Sequence, residues 1–403
     1  MTAGAGSSAG GSATRHAAGS QPHTLFRTAA VWLAALAVAA ALLAWTGYRT
    51  RDPDSRAYIA IATQLAEQPI ATWIAPHWWG AWGRQGLFRE HPAGTFVLPA
   101  LLTRAGYPAA QASFVVSLAA QIVSLLLLAA LAARLLPRAE ARLLVWALQL
   151  LPIAFVFRVR ANQEYLLLAG LVIALYCTER ARDRALWIVP AVAGFGWALL
   201  VKGVFALLGP VLCAIWLACR GSDGRQARQA WLAPAAMLLL TPMAAAAYEG
   251  VYAAAAGSSF LEYYLGPRIG LEGGPSSGGL PFPIDKLRNA LWYAGRLAWY
   301  AAPWSLVLAA HVAQRRRAPD ERARWIRFSG AAAAATVLLL AARDLTADRY
   351  IFPAYFLAAA AGLAAACARW PRMMQLAERL DAYWPAGPAL LWVVLLGGRL
   401  ALS

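Results

Sequence analysis

Charged residues are scarce in this sequence, and acidic residues are scarcer than basic ones. Only 14% of the 403 residues are charged, whereas 61% are hydrophobic, and no polar stretch is long enough to form a sizeable soluble domain. Apolar runs of membrane-spanning length, roughly 20 residues each, recur along nearly the whole chain. The sequence therefore predicts an all-α polytopic membrane protein with about eleven transmembrane helices.

Cysteine is also rare, with four residues that all fall inside apolar runs and lack the spacing of metal ligands. We interpret them as small packing residues, which excludes a disulfide framework and a zinc site. The shortage of acidic residues, 19 against 36 lysines and arginines, gives a formal charge of +17. In a soluble protein this charge would indicate nucleic acid, but here the basic residues lie between spans. We therefore expect membrane lipids as partners, and no nucleic acid.

The chain divides into a tail and one membrane domain. Residues 1–24 are rich in Gly, Ser and Ala and are predicted to form a disordered cytoplasmic tail, and residues 25–403 to form a single transmembrane domain. The first apolar run has no convincing cleavage site, so we interpret it as a retained span. Two polar segments interrupt the domain, a first outer loop at 48–107 and a second at 257–290.

The distribution of arginine predicts the orientation. If the N-terminus is cytoplasmic, the short inner loops are dense in arginine, as the positive-inside rule expects, and the first long loop faces outward. The outer side nevertheless keeps many basic residues against this bias, which suggests that an anionic ligand binds there. These residues are Arg56, Arg84, Arg89, Arg158, Arg160, Lys202, Arg268, Arg343 and Arg349.

The first outer loop opens with two carboxylates, Asp52 and Asp54, on either side of Pro53. Apolar residues then recur at helical spacing over Ser55 to Glu67, so both carboxylates lie at a predicted helix start. The loop continues with a high density of tryptophan, which is typical of amphipathic helices lying at the membrane interface. These tryptophans are Trp73, Trp78, Trp79 and Trp82.

Six pieces of sequence then follow one another in a recognisable order. They are Asp54 with Tyr58; Glu90-His91-Pro92; Arg160-Ala161 with Glu164; Lys202-Gly203; Tyr263, Arg268, Pro281-Phe282 and Pro303-Trp304; and Arg349-Tyr350 with Pro353. This order resembles that of the C-type (GT-C) glycosyltransferases, in particular the bacterial branch with the lipid A aminoarabinose transferases and protein O-mannosyltransferases. The resemblance spans about residues 50 to 360 of this sequence. It departs at Ser55, where the family has an acidic residue, and at His91, where it has lysine, so no particular acceptor is implied.

The resemblance implies a GT-C fold and an enzyme of the bacterial inner membrane whose site faces the periplasm. The implied reaction transfers one sugar from a polyprenyl-phosphate carrier to an acceptor, which is a lipid, a glycan or a protein, with inversion at the anomeric carbon. No cofactor is required for this reaction, although a divalent metal at the phosphate stays open.

The resemblance also assigns roles. Asp54, with Asp52 as its substitute, is the candidate base that takes a proton from the attacking acceptor. The candidate ligands of the donor phosphate, on which negative charge grows as the bond breaks, are Arg268, Lys202, Arg349 and His91. The candidate residues of the substrate pocket are Tyr58, Glu90, Tyr263 and Tyr350.

Each role has a structural alternative. Asp54 is also placed to cap a helix, Lys202 to extend towards the interface, and Arg349 to act as an interfacial anchor. His91 is also placed to act as a cap or to pair with Glu90. For Glu164, the expected role is structural, as an ion-pair partner of Arg158 or Arg160.

Two other classes of protein share this composition. A lipid or small-molecule transporter would show broken helices in matching halves and charges near mid-span, and no internal repeat is evident here. A non-catalytic membrane scaffold would not need carboxylates and cations gathered on one side. The glycosyltransferase prediction therefore depends on whether Asp54 and the outer cations meet in one cavity.

Overall fold

The computed structural model describes residues 22–78, 86–221, 224–268, 283–314, 320–343 and 346–402. Within these ranges the chain is helical and has no β-strand, and one isolated antiparallel bridge joins His77 to Leu87. The all-α prediction is confirmed. Numbered in chain order, the helices are α1 (Pro22–Thr46), α2 (Pro53–Glu67), α3 (Gly94–Arg104), α4 (Ala109–Ala132), α5 (Arg138–Gln149), α6 (Pro152–Val156), α7 (Glu164–Ala181), α8 (Ile188–Lys202), α9 (Leu208–Arg220), α10 (Gly224–Ala256), α11 (Phe260–Tyr263), α12 (Ile284–Tyr300), α13 (Trp304–Ala313), α14 (Asp320–Ala341), α15 (Phe352–Arg369), α16 (Pro371–Asp381) and α17 (Ala386–Ala401).

Six helical runs in the described part of the chain are long and apolar enough to cross a membrane. They are Leu25–Thr46, Ala109–Ala132, Ala185–Arg220, which contains α8 and α9 and the turn between them, Gln226–Ala256, Glu321–Ala341 and Phe352–Arg369. The helices α16 and α17 form a further candidate if they are taken as one span bent by 94°. The chain is therefore a multi-pass membrane protein, and the figure of eleven spans stays a prediction.

The chain reverses direction at Gly203, between α8 and α9. Lys202 at the end of α8 pairs with Glu164 at the start of α7, so these two helices are antiparallel. Arg220 at the end of α9 pairs with Glu179 near the end of α7, so α9 runs back alongside it. Gly203 has φ +56°, a conformation that a residue with a side chain rarely adopts. This turn brings Lys202 to the end of the bundle where α7 begins.

The opposite end of α7 is organised around one buried carboxylate. The Glu179 side chain is 0% exposed and accepts a hydrogen bond from the Trp216 indole at 2.9 Å. Three arginines from three helix ends also lie within ion-pair distance of it: Arg134, Arg182 and Arg220. Since Glu164 and Glu179 are 15 residues apart on one helix, the two ends are separated by roughly 22 Å. These three arginines and Lys202 therefore lie at opposite ends of α7.

The first outer loop folds into its own apolar cluster. Helix α2 confirms the helix predicted from Ser55 to Glu67, and it packs on α3 through Tyr58, Trp73 and Phe96. Trp73 is only 4% exposed, so its predicted role as a membrane anchor is wrong. It belongs instead to the same buried apolar cluster as Tyr58 and Phe96. Residues 79–85, which include Trp79 and Trp82, lie outside the described part of the chain.

Candidate active site

The two carboxylates at the start of α2 have different partners. Asp52 is the N-cap of the helix: its Oδ2 accepts hydrogen bonds from the Ser55 amide at 2.9 Å and the Ser55 hydroxyl at 2.6 Å. Its Oδ1 lies 3.5 Å from the Arg160 guanidinium. Asp54 lies in the first turn and forms an ion pair with Arg349. Because Asp52 caps the helix, Asp54 is available for another role.

The Asp54–Arg349 ion pair joins α2 to the segment that precedes α15. Both side chains are partly accessible, with exposed fractions of 38% for Asp54 and 22% for Arg349. The Nε atom of Arg349 is buried and has no hydrogen-bond partner among the described residues. A carboxylate at this position can therefore be reached by an acceptor, and the guanidinium has hydrogen-bonding capacity beyond its ion pair.

Asp348 holds the segment that carries Arg349. Its Oδ1 pairs with Arg296 at 3.1 Å, and its Oδ2 accepts a hydrogen bond from the Tyr300 hydroxyl at 3.2 Å, both from the amphipathic helix α12. The backbone carbonyl of Asp348 accepts a hydrogen bond from Tyr355 at 3.0 Å. Burial, followed by the neighbouring Asp348 charge, raises the pKa of Tyr300, so this side chain is a neutral phenol that can donate.

A small, partly open cavity lies beside this ion pair. It brings together residues from the first outer loop, the α6–α7 connection, the Gly203 turn, the segment after α10 and the segment before α15. They are Glu90, His91, Gln163, Lys202, Phe205, Tyr264, Arg343, Arg349 and Tyr350. Three of these side chains are lysine or arginine and one is a carboxylate, so the lining suits an anionic ligand.

Lys202 does not extend towards the interface as its structural alternative predicts. Its Nζ lies 2.9 Å from Glu164 Oε1, and the exposed fractions of the two side chains are 3% and 0%. The ammonium also lies over the rings of Phe205 and Tyr350, at 5.2 and 5.8 Å. The lysine is therefore committed to a buried carboxylate whose other oxygen, Oε2, has no partner within the described ranges.

The expected pairing of Glu164 with Arg158 or Arg160 is wrong. Arg158 is buried and donates to the backbone carbonyls of Gln149 at 3.0 Å and Trp392 at 3.4 Å. Arg160 pairs with Asp52. Both arginines contact other elements, and Lys202 is the ion-pair partner of Glu164.

His91 lines the cavity, and a hydrogen bond to the Tyr58 hydroxyl helps to position its ring. The buried imidazole has Nδ1 3.0 Å from the Pro92 carbonyl oxygen and Nε2 3.0 Å from the Tyr58 hydroxyl. Because a carbonyl oxygen can only accept, Nδ1 carries a proton, and in the neutral ring Nε2 accepts from Tyr58. Tyr58 thus contacts a lining residue without lining the main cavity itself.

In the second outer loop, the tyrosine that reaches the cavity is Tyr264. Its hydroxyl donates to the Lys202 carbonyl at 3.2 Å and accepts from the Val204 amide at 3.1 Å. A Cβ on Gly203 would overlap this hydroxyl, so the turn depends on glycine for space as well as for φ. The predicted pocket residue Tyr263 is instead turned towards the Arg89 guanidinium, 5.9 Å from its ring centre, and does not line the cavity.

The rest of the second outer loop is described only at its ends. The backbone of Arg268 ends the π-helix Tyr264–Arg268, but its side chain and residues 269–282 lie outside the described part. The role of Arg268 therefore stays a prediction. Among the described residues, no group of three or more His, Cys, Asp and Glu side chains could hold a metal ion, and metal dependence also stays a prediction.

Comparison with known proteins connects this geometry to a fold. Residues 90–248 match the family model described as dolichyl-phosphate-mannose-protein mannosyltransferase. Two crystal structures of ArnT from Cupriavidus metallidurans, one in the apo state and one bound to undecaprenyl phosphate, match 88% of the chain with a TM-score of 0.63 and 16% sequence identity. The chain has the GT-C fold. It spans 61% and 62% of the length of those two ArnT chains, and no curated protein matches it in sequence.

The predicted resemblance to the PMT- and ArnT-like branch is confirmed, and the GT-C fold explains why motifs far apart in sequence meet. Asp54, His91, Lys202 and Arg349 come from four different elements, and all lie in or beside one cavity. Their roles in a reaction stay predictions. The fold establishes that residues from motifs far apart in the sequence lie together in or beside one cavity.

The sequence did not single out four residues of the cavity lining, which are Gln163, Phe205, Tyr264 and Arg343. Arg343 was assigned to the outer side by its position between spans, but no motif distinguished it from the other outer arginines. Phe205 follows Lys202 by three residues, a spacing that places two side chains on one face of a helical turn. Tyr264 was one residue away from the predicted Tyr263.

Proposed function

We propose that this protein is an inverting glycosyltransferase that moves a single sugar, a hexose or a pentose, from a polyprenyl-phosphate carrier to an acceptor. The observation that carries the proposal is the meeting of the partly exposed Asp54 carboxylate with a cavity lined by three cations. The GT-C fold supports this chemistry. The ArnT structure with bound undecaprenyl phosphate supports a donor of the same kind for this chain.

The orientation of the site is part of the proposal. The arginines around Glu179 lie at the opposite end of α7 from Lys202, and the positive-inside rule assigns the arginine-rich end to the cytoplasm. The candidate site then faces the periplasm of a bacterial inner membrane. A polyprenyl chain would remain in the bilayer while its phosphate and sugar enter the cavity from that side.

The reaction is a single displacement. An acceptor hydroxyl or amine attacks the anomeric carbon, and the bond between that carbon and the phosphate oxygen breaks, which inverts the configuration. Asp54 takes the proton of the acceptor. The polyprenyl phosphate leaves with the bonding electron pair, and Arg349, together with His91 in its protonated form, Lys202 and Arg268, stabilises the charge that develops on it. The cationic side chains of the chain supply this stabilisation without a cofactor.

The ion pair between Asp54 and Arg349 suggests that the donor binds before Asp54 takes the proton of the acceptor. While the guanidinium is paired with the carboxylate, the carboxylate is a weaker proton acceptor because the neighbouring charge stabilises it. A donor phosphate that binds Arg349 competes for the guanidinium and releases Asp54 towards the acceptor. The carboxylate would thus become a somewhat stronger base when a donor is bound.

The test is a transfer assay with the purified full chain in lipid nanodiscs. A panel of radiolabelled polyprenyl-phosphate sugars is supplied, and carrier-dependent sugar release or transfer is measured with and without a chelator. Asp54→Asn is expected to lower the rate by about 10²–10⁴-fold, as loss of a general base does. Glu67→Gln is the matched control, because it neutralises an exposed carboxylate at the other end of the same helix.

Unchanged turnover in Asp54→Asn would remove Asp54 from the mechanism. Movement of the intact lipid-linked sugar across the bilayer, without any transfer, would replace the proposal with a transporter or flippase function. A chelator that abolishes transfer would add a divalent metal to the mechanism.

A further inference from the structure

Arg343 is a cavity residue to which no role has been assigned. It follows the end of α14 by two residues and lines the same cavity as Arg349 and Lys202. Its guanidinium carbon lies 4.7 Å from the ring centre of Phe205 and 5.1 Å from that of Tyr350. The Lys202 ammonium lies over the same two rings, so Lys202 and Arg343 are neighbours in the cavity lining.

The backbone of Arg343 is fixed by α12. Asn289, a buried residue of that helix, donates from Nδ2 to the Arg343 carbonyl oxygen at 2.8 Å and to the Ala341 carbonyl at 3.4 Å. The Arg343 amide donates back to the Leu340 carbonyl at 3.3 Å. This end of α14 is therefore anchored, and the arginine starts from a defined position beside the cavity.

Contact with two rings restricts the position of the Arg343 guanidinium. A guanidinium that lies over aromatic rings can still donate hydrogen bonds from the N–H groups at its edge. Its planar fork suits bidentate contact with two oxygens of one phosphate, which a lysine ammonium cannot make. The side chain is therefore prepared for a phosphate at a low cost in conformational entropy.

Lys202 and Arg349 differ in how readily they can exchange their carboxylate partners for a ligand. Lys202 is held by Glu164 in a buried pair, and moving it onto a ligand would leave a buried carboxylate uncompensated. Arg349 is paired with Asp54, but that pair is partly exposed and can be exchanged. A phosphate in the cavity thus meets one exchangeable arginine and one stacked arginine more readily than the lysine.

We propose that Arg343 binds the phosphate of the polyprenyl donor together with Arg349, and that Lys202 mainly positions the site through Glu164. This inference rests on the proposed function, since it names a further ligand for the same donor. It changes the expected order of importance among the cations, because a residue outside every motif ranks above the lysine of the Lys202-Gly203 motif.

The experiment measures binding of undecaprenyl phosphate, without any sugar, to the full chain in zwitterionic nanodiscs at fixed ionic strength. Arg343→Ala is expected to weaken binding about tenfold, the effect of losing one charge-assisted contact. Arg343→Lys, which keeps the charge but loses the planar fork, is expected to be intermediate. Arg288→Ala is the matched control, because it removes an arginine paired with Asp285 on the nearby α12 without touching the cavity.

The binding and kinetic results decide the inference. Weaker binding in Arg343→Ala with unchanged affinity in Arg288→Ala supports it, as does a rise in donor KM that exceeds the fall in kcat. Equal affinities in Arg343→Ala and the wild type, or equal losses in Arg343→Ala and Arg288→Ala, overturn it while leaving the proposed transferase intact. If Arg343→Ala lowers the melting temperature, Arg343→Lys decides, and wild-type affinity in that variant overturns the inference. A wild-type chain that binds no undecaprenyl phosphate overturns the inference and the proposed donor together.

Discussion

Replacing Asp54 with asparagine should improve binding of the carrier phosphate while it sharply lowers the rate of transfer. Asp54 competes with the phosphate for Arg349, because the two side chains form an ion pair beside the cavity. Asparagine keeps the size of the side chain and removes its charge. The guanidinium is then released from its competitor, and the repulsion between the carboxylate and an incoming phosphate disappears as well.

The size of the gain follows from the exposure of the pair. With 38% of the Asp54 side chain and 22% of the Arg349 side chain accessible, solvent screens the interaction, and pairs of this kind contribute about 0.2–1 kcal/mol. Since about 1.4 kcal/mol corresponds to a factor of ten, Asp54→Asn should bind undecaprenyl phosphate about 1.5- to fivefold more tightly. The gain should shrink as the ionic strength rises.

The assay is a titration of purified wild type and Asp54→Asn with undecaprenyl phosphate in nanodiscs at low and high salt, alongside the transfer assay. Glu67→Gln controls for the loss of one negative charge from α2. Tighter binding with lost turnover would separate the base from the phosphate ligand. Weaker binding in Asp54→Asn would refute the competition, because it would mean that the carboxylate helps to bind the phosphate.

Three further predictions concern the scaffold of the site and are measured as thermal unfolding in detergent. Gly203→Ala should lower stability by about 1–3 kcal/mol, because it forces a side chain into a positive φ and into the Tyr264 hydroxyl; an unchanged melting temperature would show that the turn can relax. Lys202→Met should destabilise by about 3–5 kcal/mol, because it leaves Glu164 as a buried unpaired charge. Combining it with Glu164→Gln should recover most of that loss, and a double variant no better than the single would contradict the pairing. Glu179→Gln should lower stability by about 1–3 kcal/mol without changing the donor KM, since it removes the shared partner of three arginines at the far end of α7; a selective change in KM would contradict its structural role.

The parts of the site that could be predicted from the sequence are those set by local chemistry. Two carboxylates around a proline before a helical pattern predicted the start of α2, and the Lys202-Gly203 motif singled out a lysine that lines the cavity. Both depend on a few consecutive residues. The order of the motifs predicted the GT-C fold because the motifs are distributed along most of the chain, from the first outer loop to α15.

The parts that could not be predicted depend on which helices pack together. Glu164 was expected to pair with a near neighbour in sequence, but α7 and α8 are antiparallel and place Lys202 closer. Arg343 was one of several outer arginines, and only the packing of the Gly203 turn against the start of α15 places Phe205 and Tyr350 beneath it. Spacing along the chain carries no information about such contacts.

Exposure separates the ion pairs that hold the bundle from the one proposed to act in the reaction. Glu140 and Arg322 form a buried bidentate pair with a shortest distance of 2.6 Å, and Glu179 is fully enclosed by its partners. Breaking either pair would leave a charge in a medium that stabilises it poorly, so neither can exchange partners during turnover. The Asp54–Arg349 pair lies beside the cavity and is partly exposed, so water can replace either partner, and a phosphate can replace the carboxylate, at little cost. A chain rich in arginine can thus use the same chemical pair as a fixed support at one end and as an exchangeable contact at the other, with burial deciding which.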